Sequence, residues 1–121
     1  FPDYAQIFLG RNVSFSTSKY KEGDTVPKAD IVKSINRIRS GQIEEAGATI
    51  IDQTGIYAGK EEKSLQIIIF FFPTPYEKSF KKFISNILGM LDIFLTKFGQ
   101  REIYVNFYKE GTPYQAYKVS V

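Results

Sequence analysis

The segment Leu65–Phe72, LQIIIFFF, constrains the fold more than any other part of the sequence, because only its second position is polar. A strand with one solvated face alternates apolar and polar residues, whereas an unbroken apolar run of this length is typical of a strand covered on both faces. The run is far shorter than the roughly 20 residues that cross a membrane as a helix. It therefore predicts an internal strand of a sheet, covered by helices on one side and by something else on the other.

Four further segments have the composition of strands: residues 4–13, 47–57, 103–108 and 114–121. Gly59–Glu62 is predicted to be the turn that joins the second of these to Leu65–Phe72 in a hairpin, and Gly55 is a candidate β-bulge. The sequence thus predicts five strands, the last of them a C-terminal extension.

Apolar residues recur at helical spacing between the first two strands, so we expect a helix from Pro27 to the neighbourhood of Gly41. Its remaining face is predicted to be a solvated basic surface. That surface carries Lys28, Lys33, Arg37 and Arg39.

A second, more apolar helix is predicted after the strand run. Thr74 has the chemistry of an N-cap, Pro75 suits the first helical position, and Glu77 follows the cap by three residues. An apolar stripe at a period of 3.6 residues continues to Phe98, and Gly99 is expected to end the helix as its C′ residue.

The resulting order, β-α-β-β-α-β with a C-terminal strand, predicts a single α+β domain over residues 1–121 with a ferredoxin-like arrangement. In that arrangement an antiparallel sheet has its first and third strands inside and both helices on one face. The other face would expose the side chains of the third strand together with Tyr104 and Tyr108, a larger apolar patch than monomers usually expose. A second copy of the chain is the favoured cover, followed by the C-terminal segment folded back and then by a ligand.

Composition excludes several kinds of chemistry. The chain contains neither Cys nor His, so thiolate nucleophiles, zinc–thiolate sites and histidine bases are absent, and no metal or cofactor is expected. A net charge of +3 and a pI near 9.1 favour an anionic partner over a cationic one. The sequence shows no signal peptide and no membrane span, which favours a soluble, cytoplasmic protein over an exported one, although the opening Phe1 is also compatible with processing.

The segments GATIIDQTGIYAGKEEKSLQIII, FGQREIYV and IFLGRN together resemble a family of small bacterial domains of unknown function. The matching positions are Gly47, Thr49, Asp52, Gly55, Tyr57, Glu62, Ser64, Phe98, Gly99 and Gln100. The chain departs from the family's pattern in having Tyr57 where Trp is common, and in lacking the export signal with which many members begin. The resemblance implies the same ferredoxin-like pattern and no particular activity.

Polar and aromatic residues near the strand ends are the candidate ligand-binding residues. They are Arg11, Asn12, Asp52, Tyr57, Lys60, Gln100, Arg101 and Tyr104, with no catalytic residue and no metal ligand predicted. Arg11, Asn12, Lys60 and Arg101 would form an anion site if their loops converge. Asp52 is more readily explained as an outward-facing residue of an edge strand, or as a partner of turn amides near Gly55, than as a pocket carboxylate.

The favoured function is a non-catalytic binding domain that acts as a homo-oligomer and binds or sequesters an anionic small molecule such as a nucleotide. The alternatives are an adaptor that binds a protein through its apolar sheet face, and a cofactor-independent dimeric enzyme. RNA binding is disfavoured, because Leu65–Phe72 lacks the glycine and basic residue of an RNA-recognition strand.

Overall fold

The computed structural model describes residues 2–39, 48–57 and 59–121, and the side chain of Tyr57 lies outside this description. The elements in chain order are β1 (Tyr4–Gly10), α1 (Lys28–Arg39), β2 (Ala48–Tyr57), β3 (Lys60–Phe70), α2 (Phe80–Lys97), β4 (Glu102–Lys109) and β5 (Thr112–Ser120). The strands form one five-stranded sheet in the order β2-β3-β1-β4-β5, and every neighbouring pair is antiparallel. Neither described helix is long and apolar enough to cross a membrane.

This architecture confirms the α+β prediction, including the internal positions of the first and third strands. The order differs from the simple four-stranded ferredoxin arrangement because β5 is added at the edge, beside β4. The C-terminal segment therefore extends the sheet, and the alternative in which it folds back over the exposed face is wrong.

The sheet has one face packed against the helices and one open face, and the side chains of each strand alternate between them. On β3, Leu65, Ile67 and Ile69 are buried, whereas the residues between them are half-buried. The core continues into the helices through fully buried side chains, which include Ile31, Ile35, Phe83, Ile87, Leu91 and Phe94. The half-buried positions form the open face that the sequence predicted.

The second helix begins later than predicted. Ser79 is its N-cap, and the Ser79 hydroxyl accepts a hydrogen bond from the Lys82 backbone N–H at 3.1 Å. Thr74 and Glu77 instead close a separate turn, in which each backbone N–H bonds to the other residue's carbonyl at 3.1 and 3.2 Å. Thr74 and Pro75 have the local sequence of a helix start. The tertiary partners of Glu77 instead require a turn from Thr74 to Glu77.

Those partners form a buried ion pair. Arg39 Nη2 lies 2.8 Å from Glu77 Oε1, both side chains are almost fully buried, and Asn86 donates to the other carboxylate oxygen at 2.8 Å. The prediction that Arg39 belongs to a solvated basic surface is therefore wrong. A buried charge must be paired, so this contact fixes the end of α1 against the turn that precedes α2. The predicted helix end at Gly41 lies outside the described residues.

The β2–β3 hairpin is tighter than predicted. β3 begins at Lys60, so Glu61 and Glu62 are strand residues and do not belong to the turn. Gly55 pairs in register with Glu62, and the prediction of a bulge there is wrong. The register shift of this sheet lies instead between Phe107 and Tyr108, where β4 meets β5.

Gly99 ends α2 as predicted, with a φ of +62°. A Cβ at this position would lie 2.4 Å from the carbonyl oxygen of Phe15 and 2.8 Å from a methyl carbon of Val13. The Gly99 carbonyl also accepts a hydrogen bond from the Ser14 N–H at 2.8 Å. The helix end and the loop after β1 are thus in direct backbone contact, which only glycine permits.

Gly99→Ala should lower the free energy of unfolding by about 2–4 kcal/mol, because it adds a backbone clash to the cost of a left-handed conformation. Gly89→Ala is the matched control. Gly89 lies inside α2 with nothing within 4 Å of an added Cβ, so alanine there should raise stability by about 0.5–1 kcal/mol. Urea unfolding of both variants measures the difference. Equal effects at the two positions would contradict the close contact at Gly99.

Candidate functional site

Arg11 and Asp52, two of the predicted ligand-binding residues, lie on the helix side of the sheet and contact each other. Arg11 Nε donates to the Val26 carbonyl at 2.9 Å, and Arg11 Nη1 lies 3.8 Å from Asp52 Oδ1. Lys28 Nζ lies 3.2 Å from the other Asp52 oxygen. Asp52 is on the edge strand β2 and largely exposed, so these ion pairs add little stability. They nevertheless direct the charge of Arg11 toward a carboxylate of the chain itself.

Asn12 and Gln100 are also brought together, and this contact joins α2 to the end of β1. The buried Gln100 side chain donates from Nε2 to the Asn12 carbonyl at 2.9 Å and to the Phe98 carbonyl at 3.2 Å. Its Oε1 lies 3.1 Å from where a Cβ of Gly10 would stand. Gly10 lies on the open face of β1, two residues after Phe8. Because Gly10 has no side chain, the Gln100 Oε1 acceptor lies beside that face.

The remaining predicted residues do not join one cluster. Lys60 is exposed at the start of β3, and Arg101 is exposed beside the chain terminus, where its carbonyl accepts from the Val121 N–H at 3.1 Å. Tyr104 lies on the open face and donates from its hydroxyl to Glu102 Oε1 at 3.0 Å. The Tyr57 backbone pairs with Lys60 at the hairpin end. The predicted set is therefore divided between the two faces of the sheet.

The open face has a polar end near the β2–β3 hairpin. Strand register places Glu62, Ser64 and Gln66 on this face, because they alternate with buried Leu65 and Ile67. Across the sheet, Ser64 pairs with Gly10 and Gln66 pairs with Phe8, which in turn pairs with Tyr104. We call Glu62, Ser64, Gln66, Glu102 and the adjoining rings of Phe8 and Tyr104 the polar corner.

The opposite end of the same face is aromatic. The rings of Tyr4 and Tyr108 stack with centroids 4.6 Å apart, and Phe70 meets Tyr4 edge-on at 6.0 Å. Ile51 and Tyr104 keep 42% and 45% of their surface exposed, so the described residues do not cover this face. A second copy or a ligand remains to cover it.

The chemistry of the polar corner suits a cation with a flat ring. Within the described residues, no Lys or Arg lies at ion-pair distance from Glu62 or Glu102. Two carboxylates without a cationic partner, next to aromatic rings, attract a positive ligand through charge and through the ring faces. Glycines at positions 10 and 55 remove side chains from the same area. The described residues contain no group of three or more acidic side chains that could hold a metal ion.

The polar corner was missed as a site because Glu62 was assigned to a turn. The signal that could have found it is the two-residue spacing of Glu62, Ser64 and Gln66, which places all three on the strand face opposite to Leu65 and Ile67.

A second polar cluster lies on the helix side, where Tyr20 meets α1. Tyr20 is almost fully buried, and its hydroxyl donates to Asp30 Oδ2 at 2.5 Å. The hydrogen bond from Tyr20 and the charge of Lys19 hold the pKa of Asp30 below its usual value. Burial, with the hydrogen bond to Asp30, raises the pKa of Tyr20.

The whole fold is similar to that of two solved structures. The chain aligns with a phage SAM lyase in its apo state at a TM-score of 0.76 and 25% identity, covering 99% of this chain and 90% of that one. A phage SAM lyase in complex with S-methyl-5′-thioadenosine aligns at the same TM-score and 24% identity, with the same coverage. No family model and no curated protein matches the chain.

These similarities correct the function predicted from sequence. The interpretation as a non-catalytic domain that binds an anionic small molecule is wrong, because the structural neighbours are named as lyases and therefore as enzymes. The expectation of a small-molecule ligand agrees with the second neighbour, which holds an adenosine-like compound.

Tyr20→Phe should lower the free energy of unfolding by about 1–2 kcal/mol near neutral pH, since it removes a hydrogen bond to a charged acceptor. A carboxylate whose pKa is lowered on folding stabilises the fold above its unfolded pKa of about 4, and this contribution is lost as the pH falls through the folded pKa. A phenol whose pKa is raised contributes below about pH 10 and loses its contribution above that value. Denaturant unfolding from pH 2.5 to 10.5 should therefore show a difference between wild type and variant that is largest in the middle of this range.

Tyr76→Phe is the control for the tyrosine variant, because Tyr76 is 85% exposed and should change stability by less than about 0.5 kcal/mol. A difference between wild type and Tyr20→Phe that does not vary with pH would show that packing alone, without the Asp30 charge, explains the effect.

Proposed function

We propose that this protein is a lyase that cleaves S-adenosylmethionine (SAM) and releases S-methyl-5′-thioadenosine. The observation that supports the proposal is the similarity of almost the entire chain, in fold and in sequence, to the apo phage SAM lyase. The alignment extends over 99% of this chain and 90% of the neighbour's chain, so the similarity is not confined to a part of either one.

The chemistry requires little from the protein. SAM carries a positive sulfonium, and breaking the bond between sulfur and the amino-acid chain sends the electron pair to sulfur, which leaves as a neutral thioether. The carbon that loses sulfur is completed either by a new bond to the substrate's own carboxylate, or by a double bond to its neighbouring carbon, which passes a proton to a carboxylate of the protein or to water. Both routes balance without an oxidant or a metal, so a chain that lacks Cys and His can support them. Positioning the substrate and stabilising its charges are then the main tasks.

The polar corner offers groups for these tasks. We assign Glu62 to the cationic part of the substrate, because it is a half-buried carboxylate with no cationic partner in the described part of the chain. Phe8 and Tyr104 supply ring faces for the adenine or the sulfonium. The Gln100 oxygen beside Gly10 is an additional acceptor for the substrate's ammonium group.

Two structural proposals accompany this function. The order β2-β3-β1-β4 with two helices on one face supports a ferredoxin-like unit extended by β5. The half-buried aromatic rings of the open face, together with the exposed Ile51 and Tyr104, support a homo-oligomer in which a second copy covers this face. Such a contact would also exclude water from the neighbouring polar corner.

The test is direct conversion of SAM by the purified protein, followed by chromatography and mass spectrometry of S-methyl-5′-thioadenosine. Wild type should form this product in proportion to enzyme and time, faster than the spontaneous breakdown of SAM in buffer. Glu62→Gln should lower kcat/KM by about tenfold or more, because it removes a charge that faces the cation.

Glu61→Gln is the matched control, since it makes the same change one residue earlier, on the exposed opposite side of β3, and should stay within about twofold of wild type. Equal losses in the two variants would contradict the assignment of the polar corner. Absence of product from the wild-type protein would contradict the function itself.

A further inference from the structure

A second concave surface lies on the helix side of the molecule, away from the open face. It is a cleft of about 370 Å³ between α1, the end of α2 and the loop that precedes α1. Its walls include Lys19, Lys33, Arg37 and Lys97, together with Asp30 and Tyr20. The volume lies within the range of small-ligand sites.

The charges in this cleft are not balanced. Asp30 is the cleft's carboxylate, and it already accepts from the Tyr20 hydroxyl and lies 3.2 Å from Lys19. Within the described residues, Lys33, Arg37 and Lys97 have no acidic side chain at ion-pair distance. Three cations therefore face one small volume whose carboxylate, Asp30, is already paired with Lys19.

Two of these cations also repel each other within α1. Lys33 and Arg37 are four residues apart on the same helix, a spacing at which like charges repel each other and slightly destabilise the helix. A solvated helix face gains nothing from that arrangement. An anion between the two side chains would turn the repulsion into two favourable contacts.

The walls that carry these charges are fixed by packing. Ser34 and Tyr20 are buried, and the Tyr20 ring lies 6.2 Å from the ring of Phe98 at the end of α2. Lys97 Nζ lies 6.0 Å from the same Phe98 ring. The cleft is thus bounded by elements that the core holds in place, which lowers the cost of ordering it around a ligand.

We propose that this cleft binds a small anion that carries phosphate groups, through Lys33, Arg37 and Lys97. A concave site lined by charges of one sign concentrates counter-ions, and guanidinium and ammonium groups are common ligands of phosphate. This site is separate from the polar corner, which has carboxylates in place of cations, and it does not depend on the proposed cleavage of SAM. It adds a second ligand to the same chain on the opposite side of the sheet.

The test is isothermal titration of the whole protein with inorganic pyrophosphate at low ionic strength. Wild type should give a saturable isotherm with one anion per chain, and the affinity should fall as salt is added. The double variant Lys33→Gln, Arg37→Gln should weaken binding about tenfold or more, because it removes two charge-assisted contacts.

The double variant Lys81→Gln, Lys82→Gln is the matched control. It makes the same change in net charge on the exposed first turn of α2, outside the cleft, and should stay within about twofold of wild type. No saturable binding by wild type, or equal weakening in both double variants, would overturn the proposal. Equal weakening would show that net charge alone attracts the anion.

Discussion

The register of β1 against its two neighbours determines which side chains at the centre of the sheet face the helices and which face outward. Ile7 pairs with Ile67 and Val105, and Phe8 pairs with Gln66 and Tyr104. The first trio is fully buried, whereas the second faces outward. A shift of one residue would exchange the two sets, so the pairing that excludes water from the core also assembles the polar corner.

Sequence patterns predicted the structure correctly where the local preference of the residues and the tertiary packing favour the same conformation. The apolar run of β3, the stripe of α2 and the helix end at Gly99 all follow from periodicity or backbone conformation. Sequence patterns failed where a residue that is distant in sequence determines the local conformation. Thr74 and Pro75 do not begin a helix, because Glu77 is drawn into a buried pair with Arg39, 38 positions earlier in the chain. No single-sequence pattern reveals that pairing.

The site was harder to predict than the fold, for an electrostatic reason. A net charge of +3 suggested an anionic ligand, but net charge averages over surfaces that differ in sign. In the part of the chain that the structure describes, Lys33, Arg37 and Lys97 line the helix-side cleft without an acidic partner at ion-pair distance, whereas Glu62 and Glu102 lie on the open face. The predicted Arg11 site is likewise altered by Asp52, which lies close in space but far along the chain. The charge of each individual surface determines which ligand it attracts, and on the open face that charge depends on strand register.

The most direct test of this account is a crystal structure of the protein with S-methyl-5′-thioadenosine. The nucleoside should lie on the open face, with its ring against Phe8 or Tyr104 and its thioether end toward Glu62. Density for the compound against α1 or α2, with the polar corner filled only by water, would contradict the assignment of this surface as the substrate site.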